Sequence, residues 1–208
     1  MTEAKEVLGV LCSGRGTDLQ SLIDAIGRGE VHAKLALVLT DKPDAYALKR
    51  AENAGIPAAC VNRKEYDDRE SFERELVRRL QAAGVTLVVL AGFMRILTPY
   101  FVRQFPHRIM NIHPALLPSF PGAHAHRDVL AYGVKVSGCT VHFVDEGTDS
   151  GPIILQAAVP VLEGDTEETL SARVLEQEHK IYPQAIELYC EHRLNIDGRH
   201  VHILPKKD

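Results

Sequence analysis

The stretch VLGVLCSGRGTDLQSLIDAIG, residues 7–27, joins three features that together indicate the fold. Val7 to Cys12 is a short apolar run, typical of a strand that is buried on both faces. Gly14 and Gly16 follow in a tight turn, and LQSLIDAIG then carries apolar residues at helical spacing. A strand, a glycine turn and a helix in this order predict the first unit of an α/β sheet.

The same alternation continues as far as Gly92. Further strands are predicted at Leu35 to Thr40, around AACV and at Thr86 to Gly92, with helical patterns between them. The helical pattern SFERELVRRLQAAG places four apolar side chains on one face: Phe72, Leu76, Val77 and Leu80. These features predict a doubly wound, mostly parallel sheet with helices on both faces and a Rossmann-like N-terminal half. Such sheets bind ligands outside the carboxyl ends of their strands.

After Gly92 the pattern changes. RIMNIH is predicted to be a fifth strand, GCTVHFV and PIILQAAVPV two more, and LNIDGRHVHIL a hairpin around Asp197-Gly198. A helix is predicted from about Thr166 to Glu191, and the stretch Asn111 to Asp128 is expected to be a loop that is too broken for a helix. No linker or repeat is evident, so residues 1–208 are expected to form one domain, with halves at about 1–105 and 106–208.

The bulk properties favour a soluble protein. The 208 residues carry a formal net charge of −4, which offers no basic surface for nucleic acid or an anionic membrane. The four cysteines are scattered, the amino terminus is charged, and no apolar run reaches the roughly 18 residues that a membrane span needs. A cytoplasmic location with reduced thiols is therefore expected, and a homodimer is left open.

The glycine turn SGRGTDLQ is a candidate anion site. Gly14 and Gly16 let the backbone present its amides, and the helix amino terminus adds a positive dipole end. A third glycine and the P-loop lysine are both absent, so a monophosphate fits better than a pyrophosphate. The alternative is a plain turn with Asp18 as a helix cap.

The histidine-rich run NIHPALLPSFPGAHAHRD allows three interpretations. His124 and His126, with His113, His142 and Asp149, could form a zinc site, but their spacing matches no closed zinc pattern. The run could also be a surface loop.

The third interpretation is acid–base chemistry. Asn111 and His113 lie two residues apart on a strand, so an amide N–H and an imidazolium N–H would point to one side and stabilise an oxyanion. Asp149 in the acidic loop is the candidate partner that raises the histidine pKa. His124, His126 and His142 are expected to be structural or to support the reacting residues.

Four segments, in this order, carry a resemblance to a known family: AGFMRIL, NIHPALLPSFPGAHAHRDVL, GCTVHFVDEGTDSGPIILQ and EHKIYP. They resemble the phosphoribosylglycinamide formyltransferases, the folate-dependent glycinamide ribonucleotide transformylases of purine synthesis. The likeness extends from the glycine turn to about Pro183. It implies a formyltransferase fold whose first half binds phosphate and whose second half is catalytic and binds folate.

The resemblance implies a reaction without a metal. The amine of glycinamide ribonucleotide attacks the formyl carbon of the co-substrate 10-formyltetrahydrofolate, and a tetrahedral intermediate collapses to products. Asn111 would bind the formyl oxygen, His113 would stabilise the oxyanion and transfer a proton, and Asp149 would keep His113 charged.

The resemblance also implies the binding residues. The ribonucleotide would be held by Gly16, Thr17, Asp18 and Glu178. The folate would be held by Arg69, Met94, Arg95, Ile96, Leu97, Asn111, Asp145, Glu146, Gly147, Thr148 and Asp149. Family members commonly read GSN where this chain reads GTD, so Asp18 lacks an amide donor and its direct contact with phosphate is an open question.

Three alternatives remain. A formyltetrahydrofolate hydrolase shares the Asn, His and Asp set but usually carries an extra amino-terminal domain, and methionyl-tRNA formyltransferase needs a carboxyl-terminal RNA-binding domain. Neither domain is expected here. The third alternative, a non-catalytic folate- or nucleotide-binding module, would not require the full set.

Overall fold

The computed structural model describes residues 5–206 of the chain. They form two compact units, divided between Met110 and Asn111, which are described separately below. The expectation that the whole chain is one domain stays a prediction. None of the helices within residues 5–206 is both long enough and apolar enough to cross a membrane.

The first unit alternates strands and helices. Its strands are β1 (Glu6–Cys12), β2 (Ala33–Thr40), β3 (Ala58–Cys60) and β4 (Leu87–Leu90). Its helices are α1 (Thr17–Gly27), α2 (Ala47–Asn53), α3 (Arg69–Ala82) and α4 (Pro99–Gln104), and a 3₁₀ turn spans Arg63–Glu65. The strands lie in the order β3-β2-β1-β4, and β1 pairs in parallel with both β2 and β4.

The core of this unit follows from the apolar pattern of its sequence. All four residues of β4 are buried, and so is the predicted apolar face of α3, Phe72, Leu76, Val77 and Leu80. Gly55 ends the helical segment with a positive φ of 66°, which glycine adopts without a steric penalty.

Strand β5 (Ile109–His113) begins in the first unit and ends in the second. The second unit then contains α5 (Ala125–Tyr132), β6 (Val136–Phe143), β7 (Ile153–Pro160), α6 (Glu167–Cys190), β8 (Leu194–Asp197) and β9 (His200–Ile203). In this unit β6 and β7 pair antiparallel, β7 and β9 pair in parallel, and β8 and β9 form the predicted hairpin.

Helix α6 is fixed at its start by side-chain hydrogen bonds. The Thr166 hydroxyl accepts from the backbone N–H of Thr169 at 3.3 Å, and the Thr169 hydroxyl accepts from the N–H of Thr166 at 2.9 Å. This reciprocal capping satisfies two backbone donors that a helix end leaves open. Helix α6 then buries Leu170, Val174, Tyr182 and Ile186.

The predicted α/β fold with a mostly parallel sheet is confirmed, but two short helices went unpredicted. The expectation that the whole stretch 111–128 is a loop is wrong, because residues 125–128 form the first turn of α5. The prolines and histidines before Ala125 are not typical of a helix, so the sequence does not indicate that a helix starts there. Helix α4 has only six residues and begins at Pro99, after the Thr98 cap.

Candidate active site

Asn111, His113 and Asp149 lie close together in the second unit, where the sequence predicted an acid–base site. Asn111 and His113 occupy alternate positions of β5, and His113 is only 3% exposed. Asp149 approaches His113 from the loop between β6 and β7, with 3.5 Å between its Oδ2 and the histidine Nδ1. The structure therefore brings the amide, the imidazole and the carboxylate of this prediction into one cluster.

The two ring nitrogens of His113 face different partners. Nε2 lies 2.7 Å from the carbonyl oxygen of Phe120, which can only accept, so Nε2 carries a hydrogen and donates it. Nδ1 faces the Asp149 carboxylate, whose oxygens act as acceptors toward the ring.

Asp149 is held in place by the backbone of the histidine-rich run. Its Oδ2 accepts a hydrogen bond of 2.8 Å from the Gly122 N–H, and its side chain is 17% exposed. Asp149 itself has a positive φ of 50°. Aspartate tolerates this left-handed conformation better than most residues, and such outliers gather at functional sites.

The rest of the acidic loop is ordered by Asp145. Its Oδ1 accepts from the Gly147 N–H at 3.0 Å and from the Ser150 hydroxyl at 2.7 Å. Gly151 closes the loop, since a Cβ at that position would lie 1.8 Å from the Phe143 carbonyl oxygen. Only glycine allows the chain to return to β7 at this distance. Glu146 and Thr148, two further predicted folate residues, belong to the same loop.

His142 on β6, which the sequence predicted to be structural or supporting, is a further member of the cluster. Its Nδ1 lies 2.9 Å from the Phe143 carbonyl oxygen, and its Nε2 lies 3.3 Å from the Asn111 side-chain amide. Burial lowers its pKa, although the Phe143 carbonyl and the nearby Asp149 oppose that effect. His142 is therefore a neutral imidazole near pH 7.

Glu178, the residue expected to bind the glycinamide, lies on α6 and is 7% exposed.

In the first unit, the predicted phosphate residues surround the start of α1. Gly16 has a φ of 68° and is the residue before the helix, and a Cβ there would meet the Ala47 Cβ at 2.8 Å. No side chain caps α1, so Asp18 is not its cap. Burial raises the pKa of Asp18 to about 6.

The four residues of the MRIL segment differ in environment. Met94 and Ile96 are 67% and 58% exposed, whereas Leu97 is buried. Arg95 pairs with the buried Asp41 at 2.5 Å. Of the apolar wall that the sequence predicted, Met94 and Ile96 are therefore exposed, while Leu97 packs in the core.

Arg69 is the first residue of α3. It lies 3.8 Å from Glu73, and its side chain is 48% exposed.

Metal ligands do not gather in the described part of the chain. Within residues 5–206, no three His, Cys, Asp or Glu side chains are grouped as a metal ion would require. His124 and His126, which suggested a zinc pair, stand at the start of α5.

Comparison with known proteins shows which group the chain resembles. The formyl transferase family model matches residues 7–186. The phosphoribosylglycinamide formyltransferase of Escherichia coli is 45% identical over 90% of this chain and 88% of its own length. The chain belongs to the formyl transferase family. The resemblance predicted from the sequence motifs is thereby confirmed.

A solved structure extends the likeness within the family. Glycinamide ribonucleotide transformylase 1 from Symbiobacterium toebii is 53% identical, with a TM-score of 0.95 over 97% of this chain and 95% of its own. Another relative, the trifunctional purine biosynthetic protein adenosine-3 of Drosophila melanogaster, is 47% identical. The match covers 89% of this chain and only 14% of that relative's length.

The sequence offers little indication of the groups that hold Asn111, His113 and Asp149 in place. The Phe120 carbonyl and the Gly122 amide are backbone atoms, so no residue type reveals them. His142 does carry a signal, because it lies two residues after Thr140 on β6 and both side chains reach back toward β5 and the segment after it.

Proposed function

We propose that the protein transfers the formyl group of 10-formyltetrahydrofolate to the amine of glycinamide ribonucleotide in purine synthesis. The observation that carries the proposal is the meeting of Asn111, His113 and Asp149 in a chain of this family. Simple ligand binding does not need an amide donor, an imidazole and a carboxylate in one cluster. Transfer to an amine through an oxyanion uses all three.

In this proposal the amine nitrogen attacks the formyl carbon, and the carbonyl electrons move to the oxygen. The oxyanion accepts a hydrogen bond from the Asn111 amide and another from protonated His113. The amine loses a proton, the bond from the formyl carbon to the folate nitrogen breaks, and that nitrogen takes up a proton. The products are a formamide and tetrahydrofolate.

His113 must exchange one contact to take this role, since both of its nitrogens face protein acceptors. The Nδ1 proton is matched to Asp149, so the Nε2 hydrogen is the one to move from the Phe120 carbonyl to the formyl oxygen. Asp149 then stabilises the charged ring during the reaction.

The binding residues are proposed by resemblance. The ribonucleotide phosphate is assigned to the amides around Gly16, Thr17 and Asp18, and the glycinamide to Glu178. Folate is assigned to Arg69, the segment 94–97, Asn111 and the loop 145–149. The exposed Met94 and Ile96 side chains and the ordered acidic loop support this assignment. We also propose a cytoplasmic enzyme and leave open whether it is a homodimer.

The test is to incubate the protein with 10-formyltetrahydrofolate, with and without glycinamide ribonucleotide, and to measure tetrahydrofolate. Product that forms only with the amine supports transfer. Formate release without the amine would identify a hydrolase instead, and no turnover in either mixture would identify a binding module.

Asp149→Asn is expected to lower kcat at least about 10²-fold, since a stabilising group for the transition state is lost. Asparagine tolerates the positive φ at this position and can still accept from the Gly122 N–H, so the fold should be kept. His113→Ala is expected to lower kcat to a similar extent. Both variants should still bind 10-formyltetrahydrofolate in calorimetry.

Asp128→Asn is the matched control, because it removes a carboxylate from α5 that pairs with its neighbour Arg127. It should leave kcat unchanged. Wild-type turnover in Asp149→Asn or in His113→Ala would refute the proton-transfer assignment.

A further inference from the structure

We propose that His142 is a positioning residue that orients the Asn111 amide, so that Asn111 presents an N–H rather than its oxygen to the substrate carbonyl. The inference rests on the proposed formyl transfer and concerns the same site. It assigns a specific task to a buried side chain that touches neither substrate in the proposed reaction.

The tautomer of His142 is set by its surroundings. The Phe143 carbonyl, 2.9 Å from Nδ1, can only accept a hydrogen bond, so Nδ1 must carry a hydrogen. A neutral imidazole has a single N–H. Nε2 is therefore left with its lone pair and acts as an acceptor.

The orientation of Asn111 follows from this tautomer. Its side-chain amide lies 3.3 Å from His142 Nε2, and only the NH₂ end can donate to a lone pair. One N–H of Asn111 is used in this bond. The other N–H of the same group remains to donate to a carbonyl oxygen, as the proposed oxyanion contact requires.

The opposite protonation state shows why the tautomer matters. A charged His142 would carry a hydrogen on Nε2 as well, and Asn111 would then turn its oxygen toward the ring. With its oxygen turned toward the ring, Asn111 would no longer direct an N–H toward the substrate oxygen. The amide oxygen cannot replace that N–H, because it is an acceptor like the oxyanion itself. The oxyanion would lose one donor.

The environment keeps His142 neutral. It is 2% exposed, and this burial is the main reason that its pKa is lowered. His113 adds to that effect, while the Phe143 carbonyl and the carboxylates of Asp149 and Asp145 act against it. His142 Nε2 lies 3.9 Å from Asp149 Oδ1, beyond the reach of a hydrogen bond, so the amide of Asn111 is its nearer partner.

The position of His142 is also built into the strand pairing. The register of β6 and β7 shifts between Val141 and His142, where Val141 pairs with Leu155 and His142 with Ile153, so that Ile154 is the extra residue on β7. Such irregularities are common beside active sites. Here the shift lies next to the residue that contacts Asn111.

Two amide substitutions test the acceptor directly. In His142→Gln the longer side chain can place an amide oxygen where Nε2 was, whereas in His142→Asn the amide reaches only the position of Nδ1. We expect kcat within about tenfold of wild type for Gln and a loss of about 10–100-fold for Asn, with KM for the folate changing less than kcat. Equal kcat values in the two variants would overturn the inference.

A double-mutant cycle shows whether His142 acts through Asn111. His142→Asn should cost much less in an Asn111→Ala background, within about threefold, because the amide that it orients is already gone. Multiplicative losses of kcat in the double variant would mean that His142 has a separate role and would overturn the proposal. Thermal unfolding of each variant checks that the fold is retained.

A measurement without turnover separates this inference from the proposed function. The ¹⁵N shifts of His142 should show a hydrogen on Nδ1 and a lone pair on Nε2 at pH 7, whether or not formyl transfer occurs. A hydrogen on Nε2 would overturn the positioning role and leave the transfer proposal standing. The expected tautomer together with no transfer would instead overturn the proposed function.

Discussion

Asp18 stands in the first turn of α1, beside backbone amides that are suited to a phosphate, although a carboxylate repels a phosphate dianion. The conflict depends on its protonation. Burial raises the pKa of Asp18 to about 6, so the side chain is mostly neutral well below pH 6 and mostly charged well above it. A neutral carboxyl can donate a hydrogen bond to a phosphate oxygen.

Asp18→Asn is therefore expected to improve substrate binding at the higher pH. At pH 7.5 we expect KM for glycinamide ribonucleotide to fall about three- to tenfold, since a nearby like charge costs on the order of 1 kcal/mol in a partly solvated site. At pH 5 the difference should shrink, because Asp18 is then protonated and already neutral. Comparing variant and wild type at each pH cancels the ionisation of the phosphate itself.

Asp24→Asn provides the control on the same helix. Asp24 is exposed and its side chain accepts a hydrogen bond from Gln20, so its substitution should leave KM unchanged at both pH values. A KM ratio for Asp18→Asn that stays the same between pH 5 and pH 7.5 would contradict the role of ionisation.

At the scale of elements, β6 supports the chain that follows β5 through Thr140. The buried Thr140 hydroxyl donates to the Ala115 carbonyl at 2.7 Å and accepts from the Leu117 N–H at 3.0 Å. Gln156 on β7 adds bonds to the same hydroxyl and to the Leu117 carbonyl. Two strands thus fix the segment that leads from His113 to the Phe120 carbonyl.

Thr140→Val tests how much these hydrogen bonds contribute to stability. The side chain keeps its volume but leaves the Ala115 carbonyl and the Leu117 N–H without their buried partner, so we expect a loss of about 1–3 kcal/mol in the free energy of unfolding. Denaturant unfolding measures it. We also expect kcat to fall, because the support of His113 is loosened.

Thr140→Ser is the matched control, since it keeps the hydroxyl and removes only a methyl group. It should lose about 1 kcal/mol or less and keep kcat near wild type. If Ser destabilised the protein as much as Val, packing rather than hydrogen bonding would be the role of Thr140.

The elements themselves were largely predictable from the sequence. Continuous apolar runs indicate β1, β2 and β4, because strands that are buried on both faces are apolar throughout. Helix α3 is indicated by apolar residues at a spacing of about 3.6, because only one of its faces is buried. Helix α5 buries Ala125 and Val129 at helical spacing too, but it has only eight residues and its first turn follows a run of prolines and histidines, so the pattern is too short to mark it. The antiparallel pairing of β6 with β7 depends on how the acidic loop closes at Gly151.

The candidate site was predictable only in part. Period two on one strand places Asn111 and His113 together, and the acidic loop after the next strand offers Asp149 as the partner. The contacts that hold these side chains come from backbone atoms of Phe120 and Gly122, whose positions depend on non-local folding. Phe120 has a positive φ of 52°, which its residue type does not suggest.

For the whole molecule, the question left from the histidine-rich run is whether catalysis needs a metal. The imidazole nitrogens at the site already have protein partners. Those of His113 face Phe120 and Asp149, and those of His142 face Phe143 and Asn111. A metal ion would have to break these contacts to gain His113 and His142 as ligands. The proposed transfer also needs the N–H donors of His113 and of Asn111, which His142 orients, so metal binding would compete with it.

Exhaustive dialysis against a chelator should therefore leave the rate of formyl transfer within about twofold of that of the untreated protein. The attack of an amine on a formyl group requires neither a Lewis acid nor a metal-bound water. Elemental analysis of the dialysed sample shows that the treatment worked. Separate additions of zinc and magnesium serve as controls and should not raise the rate. If the rate were lost on chelation and returned with zinc, His113 and His142 would have to be reassigned as ligands, and with them the orientation of Asn111.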